Sequence, residues 1–74
     1  MGLRGIILSQ HAMERLVKLD VNLSDLEKTI REGESIPEGR RKVRYRLRTK
    51  KGLIIAICRE FPDQILVITI MRRR

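Results

Sequence analysis

Residues 41–50 read RKVRYRLRTK, and in them Val43, Tyr45, Leu47 and Thr49 alternate with Lys42, Arg44, Arg46, Arg48 and Lys50. A strand points successive side chains to opposite faces, so an extended chain puts every cation here on one side and every apolar group on the other. A helix would scatter the same residues around its circumference. The segment therefore demands a sheet with one face on a core.

The chain that follows supplies the rest of that sheet. Lys51-Gly52 reads as a tight turn and Leu53–Cys58 as a second strand, apolar on both faces. Pro62-Asp63-Gln64 breaks the chain, and Ile65–Met71 is a third strand whose one polar residue is Thr69. Strict alternation would set Ile65, Val67 and Met71 against Leu66, Ile68 and Ile70. Short connections make the three strands an antiparallel meander.

The first half supplies the cover. Gly5–Leu8 is a short apolar run, read as an edge strand. Ser9 suits a helix N-cap, and a helix over Gln10–Lys18 gathers Ala12, Met13, Leu16 and Val17 on one face. Asp20-Val21-Asn22 forms a turn. Ser24 and Glu27 have capping-box spacing for a second helix with a thin stripe of Leu23, Leu26 and Ile30. Gly33 is expected to end it in the left-handed conformation. Glu34–Gly39, which contains Pro37, reads as a loop. The expectation is a single α+β domain over residues 1–74. A helical hairpin packs on one face of a three- to four-stranded, mainly antiparallel sheet, in the order β-α-α-β-β-β.

At 74 residues the core is thin, and a single cysteine cannot form an intramolecular disulfide. One His and one Cys make no metal-ligand cluster, so neither metal nor cofactor is expected. The longest apolar run, Ile65–Met71, is too short for a membrane helix, and no signal peptide is visible, so a soluble, cytoplasmic protein is expected. The net charge of +8 is one-sided: residues 1–36 carry five Lys/Arg and six Asp/Glu, residues 37–74 twelve and three. Such a field attracts polyanions, nucleic acid first. An anionic membrane is a weaker match, because no basic amphipathic helix accompanies the charge.

The basic strand carries the clearest signal. Arg44, Arg46 and Arg48 recur about 7 Å apart on one face, flanked by Lys42 and Lys50, and Arg59 and the terminal arginines extend the field. An edge strand kept soluble by charge is the plain structural alternative. One Tyr and one Phe leave little for base stacking, and Tyr45 falls on the core side. Cys58 reads as a buried thiol and Glu14–Lys18 as a surface pair. His11 and Arg15 lie four apart on a helix, a proton carrier beside a phosphate clamp. A solvated helix face is the plain reading of that spacing.

The layout of Ser-Gln-His11-Ala12 with Arg15, a second helix ending at Gly33 and a last strand holding Thr69 resembles an uncharacterised family of small proteins. That family is marked by His-Ala-x-x-Arg near the start and Thr in the final strand. It is grouped with RelE/ParE-like toxins in the barnase–EndoU–colicin–RelE fold. The resemblance implies the toxin of a toxin–antitoxin pair. RelE-like members cleave RNA without metal, by attack of a 2′-hydroxyl on the adjacent phosphate. By analogy His11 is a general acid or base. Arg15 and one of Arg44, Arg46, Arg48 or Arg59 stabilise the phosphate, and Thr69 orients a phosphate oxygen or His11. No histidine or tyrosine lies near the C-terminus, so the RelE catalytic set is not present unchanged.

The leading expectation is a toxin that binds RNA through the basic strand, with cleavage by His11, Arg15 and Thr69. A non-catalytic nucleic-acid-binding protein and a ParE-like protein-binding toxin are the alternatives. The helices can cover one sheet face only. The other face would then be an apolar patch needing a homodimer partner or a small acidic antitoxin.

Overall fold

A computed structural model describes residues 5–74 of the chain. Seven elements follow one another: β1 (Gly5–Leu8), α1 (Gln10–Lys18), α2 (Leu23–Glu32), β2 (Glu34–Gly39), β3 (Lys42–Thr49), β4 (Gly52–Glu60) and β5 (Gln64–Arg73). The fold is α+β, with five strands rather than three or four, in the sheet order β1-β5-β4-β3-β2. The β2–β3–β4–β5 run is antiparallel, and β1 pairs parallel to β5. No helix among the described residues is long and apolar enough to cross a membrane.

The added strand is β2, expected as a loop. It lacks apolar alternation and contains Pro37, which has no N–H for a ladder. At the sheet edge one strand face needs no partner, so proline is tolerated there, and the register shifts between Pro37 and Gly39.

Both helices lie over one face of the sheet, α1 against β5 and β1, α2 against β3 and β4. The core holds Ala12, Val21, Leu26 and Ile30 from the helical half, against Tyr45, Ile54, Ala56, Cys58, Ile65, Val67 and Ile70. Ser9 caps α1 as expected. The cap of α2 is Asn22, not Ser24: its side-chain oxygen accepts from Asp25 N at 2.7 Å. Gly33 is extended at φ −75°, not left-handed. Its need for glycine is space, since an added Cβ would strike the Thr29 carbonyl and lie 2.5 Å from that of Arg46.

One residue in β5 changes the faces. Cys58 pairs with Val67 but Ile57 pairs with Thr69, leaving Ile68 as the extra residue of a bulge. Beyond it the strand's phase reverses. Ile70 enters the core, and Thr69 and Met71 join Leu66 on the opposite face, unlike the strict alternation expected.

That opposite face is better covered than expected. Ile55 and Ile57 are only 4% and 7% exposed, although neither α1 nor α2 lies over them. Their cross-strand neighbours are Arg46 and Met71, and Arg44 and Thr69, and arginine and methionine stems are long enough to cover such a face. Among the described residues the exposed large apolar side chains are Ile7, Met13, Val17 and Leu23, three of them helical. Met13 and Val17 of α1 and Leu23 of α2 thus lie outside the core that the helical stripes assigned to them.

Candidate functional site

The helix α1 lies along the stretch of β5 edge that β1 is too short to pair. The contacts run in order. Ser9 N donates to Val67 O at 3.0 Å, and Ser9 Oγ donates to the bulge carbonyl, Ile68 O, at 2.9 Å. His11 Nε2 is 3.0 Å from Thr69 Oγ1. Arg15 Nε donates to Ile70 O at 3.3 Å. Ser9 Oγ also accepts from Ala12 N, so one hydroxyl both caps the helix and fixes it to the strand. Three candidates from two distant parts of the sequence, His11 and Arg15 in α1 and Thr69 in β5, therefore meet at one edge.

The bulge is what delivers Thr69. Without the extra residue at Ile68 its side chain would point into the core. The Thr69 hydroxyl is one fixed point for the His11 ring, whose two nitrogens each donate or accept according to tautomer. Arg15 is half-buried and tied by Nε, which aims its terminal nitrogens. An imidazole, a hydroxyl and a guanidinium at one edge can move a proton and hold a phosphate.

The basic strand differs from a bare cationic stripe. Lys42, Arg44, Arg46 and Arg48 do share the face opposite the helices, with Arg59 across from Lys42. But β2 lies beside them and interleaves carboxylates. Arg44 Nε lies 2.9 Å from Glu38 Oε2, an ion pair whose N–H is not aimed at the oxygen. Arg46 Nε donates to Glu34 Oε1 at 2.5 Å. Lys42, Arg48 and Arg59 make no ion pair among the described residues and are exposed. Arg59 is the free cation nearest Thr69 by register, on the adjacent strand and on the same face.

Other side chains have structural places. Tyr45 is buried, and its hydroxyl donates to Glu60 Oε2. Cys58 is fully buried, and its thiol is pushed up to about 12, first by burial and then by the charge of Glu60, so it is no nucleophile. Glu14 and Lys18 do not pair; the helix-surface pair is Glu27–Arg31 at 3.1 Å. No group of three His, Cys, Asp or Glu side chains among the described residues could hold a metal ion.

Sequence reasoning missed two features of this surface. Glu34 and Glu38 face Arg46 and Arg44 only because β2 is a strand. Ser9 contacts β5 as well as capping α1, a second role that a cap pattern does not disclose. Comparison with protein-family models, curated proteins and solved structures finds no match to this chain.

Proposed function

We propose that this protein is a RelE-like toxin of a toxin–antitoxin pair that binds RNA and cleaves it without a metal ion. The observation that supports this reading best is the 3.0 Å approach of His11 Nε2 to Thr69 Oγ1, with Arg15 one helical turn away. In the proposed reaction His11 takes the proton of an RNA 2′-hydroxyl, which attacks the adjacent phosphorus. The P–O5′ bond breaks, and the leaving oxygen takes a proton from water. The products are a 2′,3′-cyclic phosphate and a 5′-hydroxyl end. Thr69 sets the ring's rotation, and Arg15 and Arg59 hold the charge that builds on the phosphate. Lys42, Arg48 and Arg59, free of carboxylate partners, attract the strand.

The contacts of Ser9 and Arg15 with β5 carbonyls favour a second reading. In it α1 merely seals a strand edge, and the protein binds nucleic acid without cutting it. Incubation of purified protein with RNA separates the two: cyclic-phosphate ends support cleavage, and bound but intact RNA supports the second reading.

An antitoxin segment or a second copy of the chain is proposed to cover the apolar groove between the helices rather than the sheet face. That groove, of about 470 Å³, is lined by Ile6, Leu8, Met13, Leu16, Val17 and Leu23, among others.

A further inference from the structure

The densest unpaired charge lies away from the His11 edge, at the end of the sheet where the β3–β4 turn meets the close of β5. There a shallow groove of about 510 Å³ is lined by Arg48, Lys50, Lys51, Arg72 and Arg74, with no Asp or Glu side chain among its described walls. A second groove, of about 450 Å³, shares Arg48, Lys50 and Lys51 and adds Lys28 from α2, with Asp25 its one acid. None of these six cations makes an ion pair among the described residues. Arg44 and Arg46, by contrast, are each held by a glutamate.

The turn that carries the lysines is fixed. Thr49 Oγ1 donates to Gly52 O at 2.9 Å and accepts from Lys51 N at 3.2 Å. Gly52 has φ +123°, and a Cβ there would lie 2.5 Å from Arg73 O, so the turn sits directly against the end of β5. The register brings Arg48, Leu53 and Arg73 into one row on the face that carries Thr69. That row lies four residues along β5 from Thr69, about 13 Å.

We infer that this end of the sheet is the main anchor for the sugar–phosphate backbone of a nucleic acid strand, contacted without regard to base. The inference rests on the nucleic-acid reading above and relocates its principal contact from mid-strand to the turn. Two open grooves flanking one turn suit a chain of phosphates better than one small anion, which would call for enclosure. No aromatic residue lines either groove, so base stacking has no place there. None of the exposed large apolar side chains lines them either, which disfavours a lipid surface.

The test is fluorescence anisotropy of a labelled oligouridylate against a salt series, with each variant's thermal unfolding measured alongside. The variants are a triple Lys50→Gln, Lys51→Gln, Arg74→Gln and a double Arg44→Gln, Arg46→Gln. The triple variant should lose at least about tenfold in affinity, and its log–log salt slope should shrink by about two. The double variant should stay within about threefold of the parent. If the double variant loses binding and the triple does not, the anchor is overturned while RNA binding stands. If the parent does not bind the oligonucleotide, both readings fall. If the triple substitution affects only binding to phosphatidylserine vesicles, the surface is a lipid contact and the inference is wrong.

Discussion

His11 Nε2 lies 3.0 Å from Thr69 Oγ1, across 58 residues of chain. A bulge at Ile68 turns Thr69 outward, and a cap at Ser9 starts α1 where His11 can meet it. If the hydroxyl positions the ring, Thr69→Val should lower RNA cleavage about tenfold or more, and Thr69→Ser should restore most of it. Both should unfold within about 1 kcal/mol of the parent, as half-exposed positions usually do. Equal loss in both variants would assign the effect to packing rather than to the hydroxyl.

If the basic strand binds RNA as proposed, the glutamates of β2, paired with Arg44 and Arg46, compete with phosphate for those two arginines. Replacing Glu34 and Glu38 together by glutamine leaves their hydrogen-bonding shape and removes two negative charges. Affinity for RNA should rise severalfold at low salt, and the gain should fade as salt screens it. Stability should change little, because exposed ion pairs contribute about 0–1 kcal/mol. No gain in affinity at any salt would place the RNA away from this face.

Ser9→Ala removes a helix cap and a hydrogen bond to the bulge carbonyl in one change. A loss of about 2 kcal/mol in urea unfolding is expected. Cleavage should fall further than stability accounts for, because α1 carries His11. A loss confined to stability would show that the helix stays seated without the cap.

Gly33→Ala should cost about 2 kcal/mol or more, since the methyl meets two backbone carbonyls that belong to a packed helix and to β3. A left-handed requirement would be relieved by Asn; here Gly33→Asn should be at least as damaging as alanine. Rescue by Asn in thermal unfolding would contradict the close-approach explanation.

Burial raises the folded thiol of Cys58 to about 12, whereas the unfolded thiol ionises near 9.0. The unfolded state therefore releases its proton first. This contribution to stability is fully present below about pH 9 and is lost as pH rises from there toward 12. Cys58→Ala should flatten that part of the urea-midpoint profile. An unchanged slope would mean that the thiol is solvated in the native protein.

The sequence made the alternating strand, the two apolar strands, the α1 cap and the short first strand legible, because period and cap chemistry act over a few residues. Glu34–Gly39 was not legible as a strand. Its pairing comes from β3 alone, and Pro37 and sparse apolar residues give it no period of its own. The bulge at Ile68 was equally hidden, since Ile68, Thr69 and Ile70 read as one continuous apolar run with a hydroxyl in it. Its consequence was large: it exchanged the faces of the second half of β5. Of the candidate site, residue types were readable and proximity was not. The His11–Arg15 spacing follows from one helix, but their meeting with Thr69 depends on the parallel β1–β5 pairing that sets α1 against that edge.

The proposed cleavage of RNA at the edge formed by His11, Arg15 and Thr69 leaves a chemical signature on the product ends. Its most direct test is end-mapping of RNA from cells producing either the parent protein or His11→Ala at matched levels. The exposed position of His11 predicts stability within about 1 kcal/mol of the parent. New 2′,3′-cyclic phosphate and 5′-hydroxyl ends are expected with the parent and none with the variant. Absence of such ends with the parent, or equal numbers with both, would contradict the proposed cleavage.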